Sequence, residues 1–188
     1  MLVSKSEVTK TKEVIMAIKE GWLGRYFEDF EVGDVYRHRL GRTVTATDNI
    51  WFAMLTMNTN PVHFDHALAA KTKFGQPIVG STLTLALVTG KSVSDISINS
   101  LTNLGWDEVR LPNPLFEGET VYSQSEVLEK RDSKSNPQVG IVTFKTKGFT
   151  QDGKVVIEFK RIVMAYRRGC MPADTIGPQV GPIEKGGK

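Results

Sequence analysis

The chain holds a single cysteine, Cys170, among 188 residues. No internal disulfide can form, so a disulfide-stapled secreted domain is excluded and a reducing compartment is favoured. No apolar run approaches the roughly 18 residues of a membrane-spanning helix. The opening segment, MLVSKSEVTKTKEVIMAIKEGW, lacks the apolar stretch and small-residue cleavage site of a secretory signal. The expectation is a cytoplasmic protein without membrane contact. A dominant charge is missing too: 24 Lys and Arg stand against 21 Asp and Glu, a net +3, which gives no electrostatic case for nucleic acid. Walker-type and dinucleotide-type glycine loops are absent. Histidine is scarce, with three in all.

What remains is an ordinary globular composition, 40% hydrophobic and 24% charged, in a length that suits one domain with appendages. Residues 7–20 have the spacing of a short helix. A turn at 31–34 leads into a strand over 35–44. Thr47 or Asp48 is placed to cap a helix through Trp51 and Leu55, apolar nearly all round and therefore expected to be buried. Asp65 is placed to cap a second helix, 66–74, with Gly75 as its stop. A third and strongly apolar helix covers 81–93. Four strands follow, at 103–110, 120–130, 139–150 and 155–167, the last two joined by Asp152-Gly153. This order implies an α+β fold, an antiparallel sheet wrapped round one long helix, with Trp51, Phe52 and the 83–88 face as core. Residues 1–24 form an N-terminal extension, 25–169 the domain, and 170–188 a loose tail. The basic residues late in the chain, from Lys145 to Arg168, read as solvated strand faces or as a landing place for ligand phosphates.

Two of the three histidines fall in one stretch, TMNTNPVHFDH (56–66). Pro61 ends helical geometry at Asn60, which puts His63 just past a rigid turn. A histidine held beside an amide or carboxylate is a usable general acid or base. The competing reading gives Asn58 and Asn60 to the turn amides and leaves His63 structural. A metal site from His63, Asp65 and His66 is disfavoured, since neighbours across a helix start do not converge and no other ligand cluster exists in the sequence. Cys170, near the tail, is a poor nucleophile candidate.

These residues carry a resemblance. From about Tyr26 to Arg168 the chain is similar to the MaoC-like hydratase/dehydratase family of the hot-dog fold, which includes the R-specific enoyl-CoA hydratases. YFEDFEVGD, NTNPVHFDHALAAKTKFGQPIVGSTL and LPNPLFEGETVYSQSEVLEKRDSKSNPQVGIV match. Asn60, Pro61, Val62, His63, Ala69, Ala70, Pro77, Ile78 and Val79 align without gaps. The resemblance implies the helix at 81–93 as the centre of the fold and a homodimer or larger homo-oligomer. It also implies an acyl-CoA substrate, no separate cofactor, and addition or removal of water across an enoyl thioester. His63 then serves as general acid/base and Asn60 organises the turn. A backbone N–H near Gly80, Ser81 or Thr82 stabilises the thioester oxygen, a role suited to a helix N-terminus.

Two positions depart from the family. Asn58 replaces its catalytic aspartate, with Met57 in place of the preceding glycine, and Gly80-Ser81 replaces a His-Gly pair. An amide orients water but cannot accept a proton, so Asn58 is expected to hold the water while His63 acts alone or with Asp65 or Asp48. Similarity of NTNPVHFD and LGWDEVRLPNP to the mesaconyl- and methylmalyl-CoA branch suggests a branched or dicarboxylic acyl chain. Arg110 becomes the candidate partner of a second carboxylate. A hot-dog thioesterase and a non-catalytic acyl-thioester-binding protein are the alternatives, the latter kept open by Asn58.

Overall fold

Asp152 and Gly153 turn the chain between two neighbouring antiparallel strands, Gly153 taking the left-handed φ of +78° that a tight turn asks of glycine. The structure is a computed structural model and describes residues 21–172. The helix expected over 7–20, and the expected tail beyond residue 172, lie outside the described residues. One unit spans Gly24–Asp174.

Its strands are β1 (Val35–Thr43), β2 (Ser100–Arg110), β3 (Thr120–Asp132), β4 (Val139–Thr150) and β5 (Val155–Tyr166). They form one antiparallel sheet in the order β1-β3-β4-β5-β2. Alternation sets the inner face: Val121, Ser123, Ser125 and Val127 of β3 are buried. Against that face lies the central helix α3 (Ser81–Ile96), three residues longer than its expected 81–93. Its Val88 seats over Gly148 of β4, where a Cβ would come within 2.4 Å of Val88 Cγ2. Val44, Leu83, Val88, Val121, Ile157 and Phe159 make one apolar cluster. Phe27, Phe30, Ile96, Val127 and Phe144 are part of a second, in which Phe30 and Phe144 meet edge to face at 5.2 Å.

Buried polar groups fasten the far half of α3 to the sheet. His38 of β1 bonds Asp95 through Nδ1 at 2.8 Å and Ser125 through Nε2 at 2.9 Å, and Ser125 bonds Thr146. Burial holds the His38 imidazole below its usual range, although Asp95 pulls the other way. Arg161 of β5 donates to Asn103, Ser92 and Ser97, and burial lowers its pKa to about 10.

The helix before the polar corner, α1 (Ala46–Leu55), differs from expectation in two ways. Its cap is Thr45 rather than Thr47 or Asp48. Thr45 Oγ1 accepts from Asp48 N at 3.2 Å while Asp48 Oδ2 accepts from Thr45 N at 2.8 Å, a reciprocal capping box. And it is not buried all round. Asn49 and Ala53 point inward and Phe52 packs against the core, whereas Trp51 is 67% exposed and Leu55 77%. A helix at the sheet's mouth has only one narrow face to cover, and Trp51, Met54 and Leu55 lie on the other. The next helix, α2 (His66–Ala69), is a single turn, capped by Asp65 as expected but ending well short of residue 74.

Candidate active site

The polar corner begins where α1 stops. Met57, the residue that replaces the family glycine, adopts φ +54°, a left-handed conformation costing an ordinary side chain about 1 kcal/mol. Asn58 N then donates back to the Ala53 carbonyl at 2.8 Å. The two asparagines close successive turns: Asn58 Oδ1 accepts from Asn60 N, and Asn60 Oδ1 from Val62 N, each at 3.2 Å. Pro61 starts the 3-10 turn Pro61–His63 with the φ it already prefers.

That turn delivers His63, 8% exposed, with Nδ1 2.8 Å from the Ile78 carbonyl oxygen. A carbonyl only accepts, so Nδ1 carries the proton and Nε2 is left with a free lone pair. The tautomer is therefore that of a base.

Asn49 organises the surroundings. From a position 1% exposed its two Nδ2 hydrogens are shared among the carbonyls of His63 (2.8 Å) and Ile78 (3.1 Å) and Glu117 Oε1 (3.1 Å), while its Oδ1 accepts from Gly80 N at 3.1 Å. One side chain thus ties the histidine turn, the segment that sets its tautomer, and the entry to α3. No side chain caps α3, so first-turn N–H groups and the positive end of the helix dipole stand open.

His63 and the start of α3 share a cavity of about 490 Å³, with Asn60, Lys73, Thr84 and Asn113 as further polar lining and Val62, Ile78 and Leu115 among its apolar walls. Ser81 lines it; Thr82 does not. Gly80's own N–H is taken by Asn49. Asn58 is not among the lining residues, and its side-chain Oδ1 accepts from Asn60 N. Both candidate carboxylates have partners other than the histidine. Asp65 Oδ1 caps Leu68 N, and Asp48 pairs with Arg42 at 2.6 Å, which holds its carboxyl at about 2. Arg110 lies elsewhere, in a separate hollow with Glu108, Lys145, Glu158 and Lys160. Most late basic residues meet acids: Lys145 pairs with Glu158, Lys154 with Glu119, Lys160 with Glu108 and Arg168 with Asp29. This is the solvated-face reading.

Two contributors were missed in the sequence. Lys73 reaches the cavity through a fold-dependent loop. Asn49 left one trace, an amide directly before the apolar run Ile50 to Leu55. Among the described residues no group of three His, Cys, Asp or Glu is placed to hold a metal, and no helix is long and apolar enough to cross a membrane.

A sheet wrapped round a central helix, with a histidine turn at the head of that helix, defines a MaoC-like protein of the hot-dog fold. A MaoC domain protein of Chloroflexus aurantiacus superposes with a TM-score of 0.76 at 28% identity, over 87% of this chain and 47% of that one. The chain belongs to the mesaconyl-CoA hydratase family, whose sequence profile matches residues 9–186. It is 34% identical to the mesaconyl-CoA hydratase of Cereibacter sphaeroides over 85% of this chain and 47% of that protein. With the (R)-specific enoyl-CoA hydratase of Aeromonas caviae it shares 31% identity over 72% of this chain and 96% of that protein. The chain spans about half the length of the mesaconyl-CoA hydratases it matches.

Proposed function

We propose that the protein adds water to, or removes it from, the α,β double bond of an enoyl-CoA thioester, with an acyl chain of the mesaconyl or methylmalyl type. One observation carries the reading: His63, with Nδ1 locked on the Ile78 carbonyl, shares a cavity with the uncapped start of α3. Relatives named mesaconyl-CoA hydratase and β-methylmalyl-CoA dehydratase support the choice of acyl chain.

In hydration, His63 Nε2 takes a proton from water as the water oxygen bonds the β-carbon. The π electrons move onto the thioester oxygen, where the N–H of Ser81 and the helix dipole meet the developing charge. The imidazolium then gives its proton to the α-carbon and the carbonyl re-forms. Asn58 cannot accept a proton, so one group carries the proton in both directions. Dehydration is the reverse. The route needs no cofactor beyond the coenzyme A of the substrate, and the single cysteine accords with a cytoplasmic location.

The partner we assign is a second copy of the chain. β2 is a sheet edge that exposes Leu101, Leu104 and Trp106, and α1 exposes Trp51, Met54 and Leu55. Unpaired edges and apolar faces of this kind favour association. Sedimentation velocity should give a dimer or larger species.

The activity is tested by incubation with crotonyl-CoA and mesaconyl-CoA while enoyl-thioester absorbance and free thiol are followed together. Loss of absorbance without thiol is expected. Thiol release, or no change with either substrate, would overturn the reading.

A further inference from the structure

We infer that Lys73 selects the substrate by pairing with a second carboxylate on the acyl chain, a role that rests on the hydratase reading above. Lys73 lines the same cavity as His63, and among the lining residues it is the one Lys or Arg; no Asp or Glu is among them. Among the described residues it makes no ion pair, and its Nζ lies 5.1 Å from the centroid of the Phe74 ring. Much of the remaining wall is apolar: Val62, Ile78, Val79, Leu111, Leu115 and Val156.

Lys73 is itself exposed, so a carboxylate entering beside it gives up part of its hydration, and a cation there offsets that loss. A purely hydrocarbon acyl chain has no use for one. The cavity therefore matches a chain with a thioester at one end and an anion at the other. Arg110, the expected partner, lines a different hollow.

The phosphates of coenzyme A are the other anions within the substrate. The pantetheine arm, comparable to about four extended residues, holds them on the order of 14 Å from the thioester. Lys73 lines the same cavity as the reacting histidine, which favours the acyl end over phosphates held at that distance.

The experiment compares Lys73→Gln, Lys73→Glu and Lys73→Arg with the unaltered protein, using mesaconyl-CoA and the neutral crotonyl-CoA, and reads kcat/KM and equilibrium binding side by side. The Gln variant should lose about tenfold or more in kcat/KM and affinity for mesaconyl-CoA. The Glu variant should lose further, the Arg variant should recover most of the loss, and crotonyl-CoA should change less than about threefold. Equal losses on both thioesters would assign Lys73 to coenzyme A and overturn the inference, as would no loss on either. Because binding is measured as well as turnover, a protein that binds both thioesters but hydrates neither refutes the hydratase reading while the selectivity of Lys73 is still decided.

Discussion

His63 Nδ1 and the carbonyl oxygen of Ile78 lie 2.8 Å apart, and this contact decides which nitrogen can act as a base. Replacing His63 with Ala removes the only proton carrier in the proposed route. kcat for hydration should fall at least about a hundredfold, with thioester binding changed far less. Steady-state kinetics beside a binding titration checks this.

Asn58 occupies the place of the family aspartate, yet its Oδ1 is committed to Asn60 N and its side chain does not line the cavity. Asn58→Asp can keep the same turn bond. Hydration should therefore change by less than about tenfold, well short of the contribution of a positioned general base. A larger gain would show that the lost carboxylate limits the rate.

Asn49→Ala should lower both stability and turnover. It strips partners from the buried Gly80 N–H and from two carbonyls, at a cost of about 1–3 kcal/mol. Asn49→Asp retains an acceptor for Gly80 N and loses the donations, so it separates the two halves of the effect. Thermal melting and kcat report the two consequences.

Acid should loosen the start of α1. Arg42 holds the Asp48 carboxyl at about 2, below the ordinary carboxylate range. Because the folded value is the lower one, the unfolded chain binds the proton first. The stabilisation is complete above about pH 4 and is lost as pH falls from there towards about 2. In Asp48→Asn this part of the pH dependence should be missing from melts recorded across that window.

Gly148→Ala puts a methyl 2.4 Å from Val88 Cγ2 and 2.9 Å from Ile157 Cγ2. Overpacking of this kind costs about 1–3 kcal/mol, which should appear as a lower denaturation midpoint.

Much of this was written locally. β4 runs over Val139–Thr150 as its Val, Ile, Phe and Thr content and the Asp-Gly turn suggested, α3 begins at Ser81 after Gly80, and Asp65 caps α2. The corner was legible because Pro61 and the asparagines act on their immediate neighbours. What local pattern could not supply was direction. Apolar residues surround α1, so composition alone did not say that Trp51 would face solvent and Asn49 the interior. The bonds of Asn49 to Gly80 and Glu117 span 31 and 68 residues, and no periodicity reports a contact of that range. Arg110 was a choice by charge, and the fold sets it in another hollow, two residues after Glu108, which takes φ +51° at an irregularity in β2.

Asn49 has one more consequence. The proton carrier and the charge sink are usually discussed as separate devices, each free to be adjusted by its own neighbours. Here a single amide grips both, so a shift of the helix head drags the histidine turn with it and their spacing survives the shift. Selection for a bulkier or slimmer acyl chain can then reshape the outer wall, around Leu111 and Phe74, without retuning the chemistry.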